Sequence, residues 1–262
     1  MTATITAGAR VSTTLRFAGY DLMRLSRDWS TLFFSIMLPV AMYLIFGAFQ
    51  DYGNDRINDS NVTAYVMVAM ALYAGITGAV GAAGTIAMEN QTGWGRQLAL
   101  TPLTAGQRLS ANLIGIAVRA VLPILAVYLA GALTGAEMPT GVWASTLALA
   151  VVMSVPFGLY GIAWATAIPT AASVSIAATS VVVLAFLGGM FMPLSEGLLA
   201  VGRFTPAYGA STLTRYPMTD GIQSTVDGQL SDPDPLWWPL LNVIVWTAVF
   251  AAAVLLLRRQ RR

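Results

Sequence analysis

Six stretches of this chain each run for about twenty residues with a single charged side chain, Arg119, among all of them. They lie at 29–49, 62–88, 113–133, 142–167, 171–192 and 236–257. A helix rises 1.5 Å per residue, so roughly 20 apolar residues match the roughly 30 Å hydrocarbon core of a bilayer. Backbone groups in lipid must be satisfied within the segment, which makes each stretch a helix. The runs are continuously apolar and lack the alternation of an outer-membrane barrel strand. The expectation is an all-α polytopic membrane protein with six transmembrane helices. The first stretch is too long for a signal peptide's apolar region, and 28 residues precede it. Residues 1–262 read as a single domain: an arm over 1–28, a six-helix bundle over 29–257 and a basic tail over 258–262.

Composition narrows the chemistry. Hydrophobic residues make up 56% and charged residues 10%, against about 25% charged in a soluble domain. Cysteine is absent, so there is neither a disulfide framework nor a thiolate metal site. Histidine is absent too, which removes the commonest general base, proton shuttle and metal ligand. An intramembrane enzyme built on a His dyad or a metal cluster is excluded, and no carboxylate lies clearly inside a span to serve an ion-coupled transporter. All 14 basic residues are arginine, which with the wealth of Ala, Gly and Val points to a GC-rich bacterial genome.

Arginine placement sets the orientation. Arg10, Arg16, Arg24, Arg27, Arg96, Arg108, Arg258, Arg259, Arg261 and Arg262 fall on one side of the six spans, and Arg56, Arg203 and Arg215 on the other. Positive residues stay inside, so both termini are expected in the cytosol, at the plasma membrane. Most acids, including Asp55, Glu137 and Asp234, fall outside. The terminal Arg-Arg-Gln-Arg-Arg suits lipid headgroups rather than nucleic acid. In the arm, Val11, Leu15, Ala18, Leu22 and Leu25 share one helical face with Arg16, Arg24 and Arg27 opposite. This pattern fits an interfacial helix, or alternatively a solvated amphipathic tail.

Within the spans, Ala71, Gly75, Ala79, Ala83 and Ala87 recur every four residues, a spacing that lets another helix approach closely. Pro39, Pro123 and Pro156 each remove one intrahelical hydrogen bond. Arg119 poses a fork: it lines a substrate path or grips a lipid phosphate, or it snorkels to the inner headgroups. Phe33, Phe34, Met37, Met42, Met190, Phe191 and Met192 would suit a cavity for flat or greasy molecules, and equally the filling of a helix bundle. The first outer loop, 50–61, is acidic and turn-forming. In the long outer segment 193–235, Leu194, Leu198, Val201 and Phe204 suggest a short re-entrant helix, followed by an acidic loop from 221. Trp237 and Trp238 mark an interface at the start of the last span.

Between spans two and three lies a polar island, 89–104. Glu89 is expected where the helix leaves the bilayer, Gly93 and Trp94 follow, then Arg96, Leu98 and Leu100 in a short amphipathic helix that Thr101 and Pro102 terminate, a partner-docking segment or alternatively an ordinary loop helix. This island resembles the cytosolic coupling segment of the type-2 ABC exporter permeases, the membrane subunits of daunorubicin-type drug, lipid and polysaccharide exporters. Two further places carry the resemblance: Gly188-Gly189-Met190-Phe191-Met192-Pro193 closing the fifth span, and Phe204-Thr205-Pro206-Ala207-Tyr208 with Arg215 downstream. Where the family packs charge around the first motif, this chain has Asn90 and Gln91, and Trp94 stands where Thr is common.

The resemblance implies a permease that pairs with a second permease half, a copy of itself or a paralogue, and docks on two ABC ATPase subunits. Glu89, Gly93, Trp94, Arg96, Leu98, Leu100 and Pro102 would then couple to the ATPase. Arg119, Met190, Phe191, Met192, Pro193, Phe204 and Pro206 would line or gate the substrate path. ATP and Mg would sit on the partner, and this chain would bind no cofactor or metal and perform no catalysis. A phosphate-binding Walker loop needs a lysine, and the chain has none. The shortness of the chain and the absence of a large outer domain favour a drug-like or lipid-like substrate. An ion-coupled secondary transporter and a non-transporting structural or regulatory subunit are the rival readings.

Overall fold

The computed structural model describes residues 29–91, 105–170, 172–223, 231 and 233–260. The expected interfacial arm lies outside the described residues, as do Gly93, Trp94, Arg96, Leu98, Leu100 and Pro102 of the polar island and most of the acidic stretch after 223. The chain is an all-α polytopic membrane protein. Its helices are α1 (Trp29–Tyr43), α2 (Val62–Gln91), α3 (Ala105–Leu133), α4 (Thr140–Ala167), α5 (Ala172–Leu187), α6 (Glu196–Gly202), α7 (Pro206–Thr219) and α8 (Trp237–Gln260). Among the described residues four helices are long and apolar enough to cross a membrane, over Val62–Glu89, Ile114–Leu133, Thr140–Ala167 and Trp237–Gln260; Ser35–Ala48 and Ala172–Leu187 are shorter apolar helices.

Helix α2 forms the core. Of its most apolar stretch 83% is buried within the chain, against 11% for α8. It runs between α4 and α3, with α1, α5 and α7 completing its surroundings. The small residues explain how one helix fits so many neighbours. A Cβ at Gly78 would strike the Arg119 carbonyl of α3, and one at Gly161 of α4 would strike the Val80 carbonyl of α2. These are backbone-on-backbone approaches that a larger side chain forbids. Ala71, Ala79 and Ala83 are fully buried, as the spacing of four predicts. Hydroxyls in the interior donate to their own helix, as Thr77 does to the Tyr73 carbonyl at 3.0 Å. Others join helices: Tyr128 to Thr146 at 2.9 Å between α3 and α4, and Tyr160 with Ser180 at 2.6 Å between α4 and α5.

Helices α1 to α5 and α8 alternate in direction. At one end Tyr43 meets Thr134 at 2.6 Å, and Asn58 donates to the Met218 carbonyl at 3.0 Å. This end carries a small hairpin, β1 (Arg56–Ile57) paired antiparallel with β2 (Ser60–Asn61), with Arg56 opposite Asn61. Asn58 in its turn has φ +53, a conformation Asn tolerates. Asn61 then caps α2. Its side-chain oxygen accepts from the Ala64 amide at 2.9 Å and from the Glu137 amide at 3.0 Å, and its own amide donates to the Gly135 carbonyl at 2.8 Å. The loop before α2 is thereby tied to the loop between α3 and α4. Arg56 adds an exposed ion pair to Glu137 at 2.7 Å.

The structure differs from the expected spans in three places. The first stretch is α-helical only to Tyr43, after which Leu44–Ala48 widens into a π turn with the Phe49 amide bonded to the Leu44 carbonyl at 2.9 Å. The fifth helix stops at Leu187, five residues short of the expected 192. Gly189 takes φ +61, its amide bonds the Phe186 carbonyl at 3.0 Å, and the Met190 amide bonds the Ala185 carbonyl at 3.0 Å. That pair of bonds closes a helix on a left-handed glycine. A Cβ at Gly188 would lie 2.9 Å from the Ala207 carbonyl carbon, so the backbone of α7 packs directly on the end of this helix and only glycine fits there. Finally, the segment following Pro193, expected on the outer side, holds two helices where one short one was expected. α6 covers the Leu198 and Val201 stretch, and α7 starts at Pro206, a residue suited to a first helical turn.

Candidate functional site

At the hairpin end a cavity of about 640 Å³ opens between α1, α2 and α5. Small-molecule sites commonly fall between about 300 and 1,000 Å³. Met42 and Phe46 come from the end of α1 and its π turn. Tyr52, Asp55 and Ile57 come from the connection to α2, and Val62, Tyr65 and Val66 from the first turns of α2 itself. Phe186, Gly189 and Met190 to Pro193 close the far wall. The early stop of α5 builds that wall: the left-handed Gly189 turns the chain so that Phe191 lies edge-on to Phe186 at 4.7 Å and to Tyr73 at 4.9 Å. Asp55 is the one ionisable acid in the lining, and its carboxylate has no partner among the described residues.

Behind this wall sits Arg215, 1% exposed and among the largest fully buried side chains. Its guanidinium lies 4.4 Å from the centre of the Tyr65 ring, within cation–π range. It donates to the Gly189 carbonyl at 3.2 Å and to the Ser211 carbonyl at 3.4 Å, and also to the Ser211 hydroxyl. Among the described residues no carboxylate pairs with it. Two of its partners, Tyr65 and Gly189, line the cavity, so the charge supports the wall without entering it.

A second buried polar group ties the start of α7 to the start of α8. Asp234, 6% exposed, pairs with Arg203 at 2.9 Å and accepts from the Tyr208 hydroxyl. Burial, reinforced by the bond to Asp234, pushes the Tyr208 hydroxyl up to about 12, so it stays a neutral donor at physiological pH. Asn242 of α8 donates to the Arg203 carbonyl at 2.9 Å, and the Trp246 indole to the Phe204 carbonyl at 2.9 Å. Gly209 of α7 lies directly against Asn242.

The residues expected on the substrate path are thus distributed over three places. Met190, Phe191, Met192 and Pro193 converge on the large cavity, with Met42. Phe204 lines a shallower groove of about 260 Å³ along α8 with Trp238 and Trp246, and Pro206 is buried at the start of α7. Arg119 lines a recess of about 190 Å³ beside Thr77, Gly78 and Thr85, farther toward the opposite end of α2. Phe33 and Met37 are exposed on α1. Glu89 is placed in the last turns of α2, and the remaining coupling residues lie outside the described residues. Sequence reasoning missed Tyr65, Asp55 and the pairing of Arg203 with Asp234. Arg203 and Asp234 are expected from sequence only as outer-loop charges, and Arg215 as the arginine downstream of the Pro206 motif. The spacing of Ser211 and Arg215, one helical turn apart, was the available sign of a helix there.

A family model for "ABC-2 family transporter protein" matches residues 52–257. A Bacillus subtilis (strain 168) protein named as a transport permease, YvfS, is 25% identical over 255 residues, covering 92% of this chain and 95% of that protein.

Proposed function

We propose that this chain, which belongs to the ABC-2 family of transporter proteins, is the membrane half of an ATP-driven exporter whose motor is a separate polypeptide. It is a multi-pass membrane permease rather than an ATP-hydrolysing enzyme. The complete machine would hold two permease halves, identical or paralogous, and two ABC ATPase subunits carrying ATP and Mg. The substrate would be a drug-like or lipid-like molecule, leaving a bacterial cell through the plasma membrane. The observation that carries this reading is the 640 Å³ cavity between α1, α2 and α5, mostly apolar and walled by the 190–193 turn. A body that partitions into lipid fits such walls, and the burial they offer contributes about 25 cal/mol per Å² of apolar surface. The test is co-purification of the chain with its ATPase and measurement of substrate-stimulated hydrolysis in proteoliposomes. An ATPase that does not associate, or that hydrolyses identically with and without every amphiphile exported, would remove the reading.

The coupling role falls on Glu89, Gly93, Trp94, Arg96, Leu98, Leu100 and Pro102. Glu89→Ala and Gly93→Pro should leave insertion intact while lowering transport-linked hydrolysis at least tenfold. Wild-type rates in both would move the ATPase contact elsewhere. Six passes with both termini inside would place the hairpin end outside the cell. The alternation of α1 to α5 and α8 supports this, because 50–61, 134–139 and the described residues of 188–223 meet at that end. The absence of native cysteine makes a clean assay available. Single cysteines at Asp55 and Asp227 should react with an impermeant maleimide on intact cells. Those at Gln97 and Gln260 should react only after permeabilisation, and the reverse pattern would invert the orientation.

A further inference from the structure

We infer that the cavity at the hairpin end selects lipophilic cations, with Asp55 at its mouth as the charge that recognises them. The inference deepens the transport reading and rests on it only for what such binding would serve. Three observations carry it. The walls are aromatic and thioether-rich: Phe46, Tyr52, Tyr65, Phe186 and Phe191 surround the space, with Met side chains between them. Ring faces carry negative quadrupole density and attract cations, most strongly where water is excluded. Asp55 is the single acid in the lining, no arginine joins it there, and its carboxylate has no partner among the described residues.

The nearby positive charges are engaged elsewhere. Arg56, next in the chain, pairs with Glu137 at 2.7 Å. Arg215 lies behind the wall, with its donors on Gly189 and Ser211. An anionic amphiphile would therefore meet an unpaired carboxylate at the entrance and no accessible donor fork inside. A cation would meet the opposite. The position of Asp55 is held by backbone bonds rather than by its side chain. Its amide bonds the Tyr52 carbonyl at 3.0 Å, and its carbonyl accepts from the Val62 amide at 3.0 Å. The backbone at 55 is thus fixed, and its exposed carboxylate is left available. Arg215 above Tyr65 sets a limit on depth: a cation resting there would be repelled, so the charge stays at the Asp55 side while the apolar body fills the space toward Met190 and Phe191.

The test uses two ions of nearly the same shape and opposite charge, tetraphenylphosphonium and tetraphenylborate. Equilibrium dialysis against the purified full chain in detergent separates saturable binding from micelle partition. The phosphonium should bind saturably and the borate should not. Asp55→Asn, an isosteric change at an exposed position, should weaken the phosphonium about tenfold, equivalent to about 1.4 kcal/mol. Asp55→Glu should stay within about threefold, and Asp59→Asn, outside the cavity, should have no effect. The assignment is overturned if the borate binds as tightly, if Asp55→Asn leaves the phosphonium unchanged, or if Asp59→Asn weakens it equally. Binding is read without the ATPase, so its failure leaves the transport reading standing. Failure of ATPase association, in turn, leaves the cation site standing.

Discussion

Gly78→Ala should destabilise the chain by about 2–3 kcal/mol, while Gly81→Ala, three residues along the same helix, should leave it unchanged or slightly more stable. At 78 the added methyl meets backbone: the Arg119 carbonyl, and the Ala120 Cα at 3.1 Å. No rotamer change relieves that contact, so α2 and α3 must separate along their length. At 81 nothing lies within 4 Å of the same methyl, and alanine restricts the unfolded chain more than glycine does. Unfolding followed by tryptophan fluorescence in detergent should show a midpoint lower by roughly 5–10 °C for the first variant. Equal midpoints would mean that α2 and α3 do not touch through their backbones.

The second large effect concerns Arg215, where charge and packing can be separated. Arg215→Ala removes a fully buried long side chain and should cost about 3–4 kcal/mol, as large-to-small core changes do. Arg215→Met keeps most of the volume. It loses the stacking on Tyr65 and leaves the Gly189 carbonyl without its donor, together worth about 2–3 kcal/mol. Against this, a buried cation without a carboxylate partner carries a desolvation penalty of several kcal/mol, and methionine carries none. The two nearly cancel, so the methionine variant should unfold within about 1 kcal/mol of wild type. A methionine variant as unstable as the alanine one would show that the guanidinium's bonds hold the wall of the cavity together.

The long helices were legible because lipid imposes a simple rule on length and polarity. The small-residue stripe on α2 was legible because a spacing of four maps onto one helical face. Legibility failed where packing decided the outcome. The 171–192 stretch carries no charge, and nothing local says that α7 will pack on its end at Gly188. Gly188 admits that close approach, and the left-handed Gly189 closes the helix. Helix α7 was hidden for the opposite reason. Its sequence holds three Thr, two Tyr, a Ser and an Arg, which weakens an apolar pattern, yet it is buried from Pro206 to Arg215. Its burial rests on close approach, such as that of Gly209 to Asn242, and on long-range polar pairs. Tyr208 and Asp234 are 26 residues apart, a pairing no local pattern encodes. The cavity was half legible: Met190 to Pro193 were singled out as a set, whereas Asp55 and Tyr65 became neighbours of that set only through the tertiary fold.

The bond set around Asn61 has a mechanical consequence. Asn61 fastens the head of α2 to the loop joining α3 and α4, and farther down the glycine contacts at 78 and 161 lock the same three helices backbone to backbone. A slide of one residue, 1.5 Å, would press a Cβ onto a carbonyl oxygen in either groove. The trio therefore has no low-energy sliding coordinate and behaves as a stator. Displacement is left to the seams where α1 and α5 meet it, and the cavity lies in those seams. A change in its volume would therefore have to come from α1 and α5 moving against a centre that stays still.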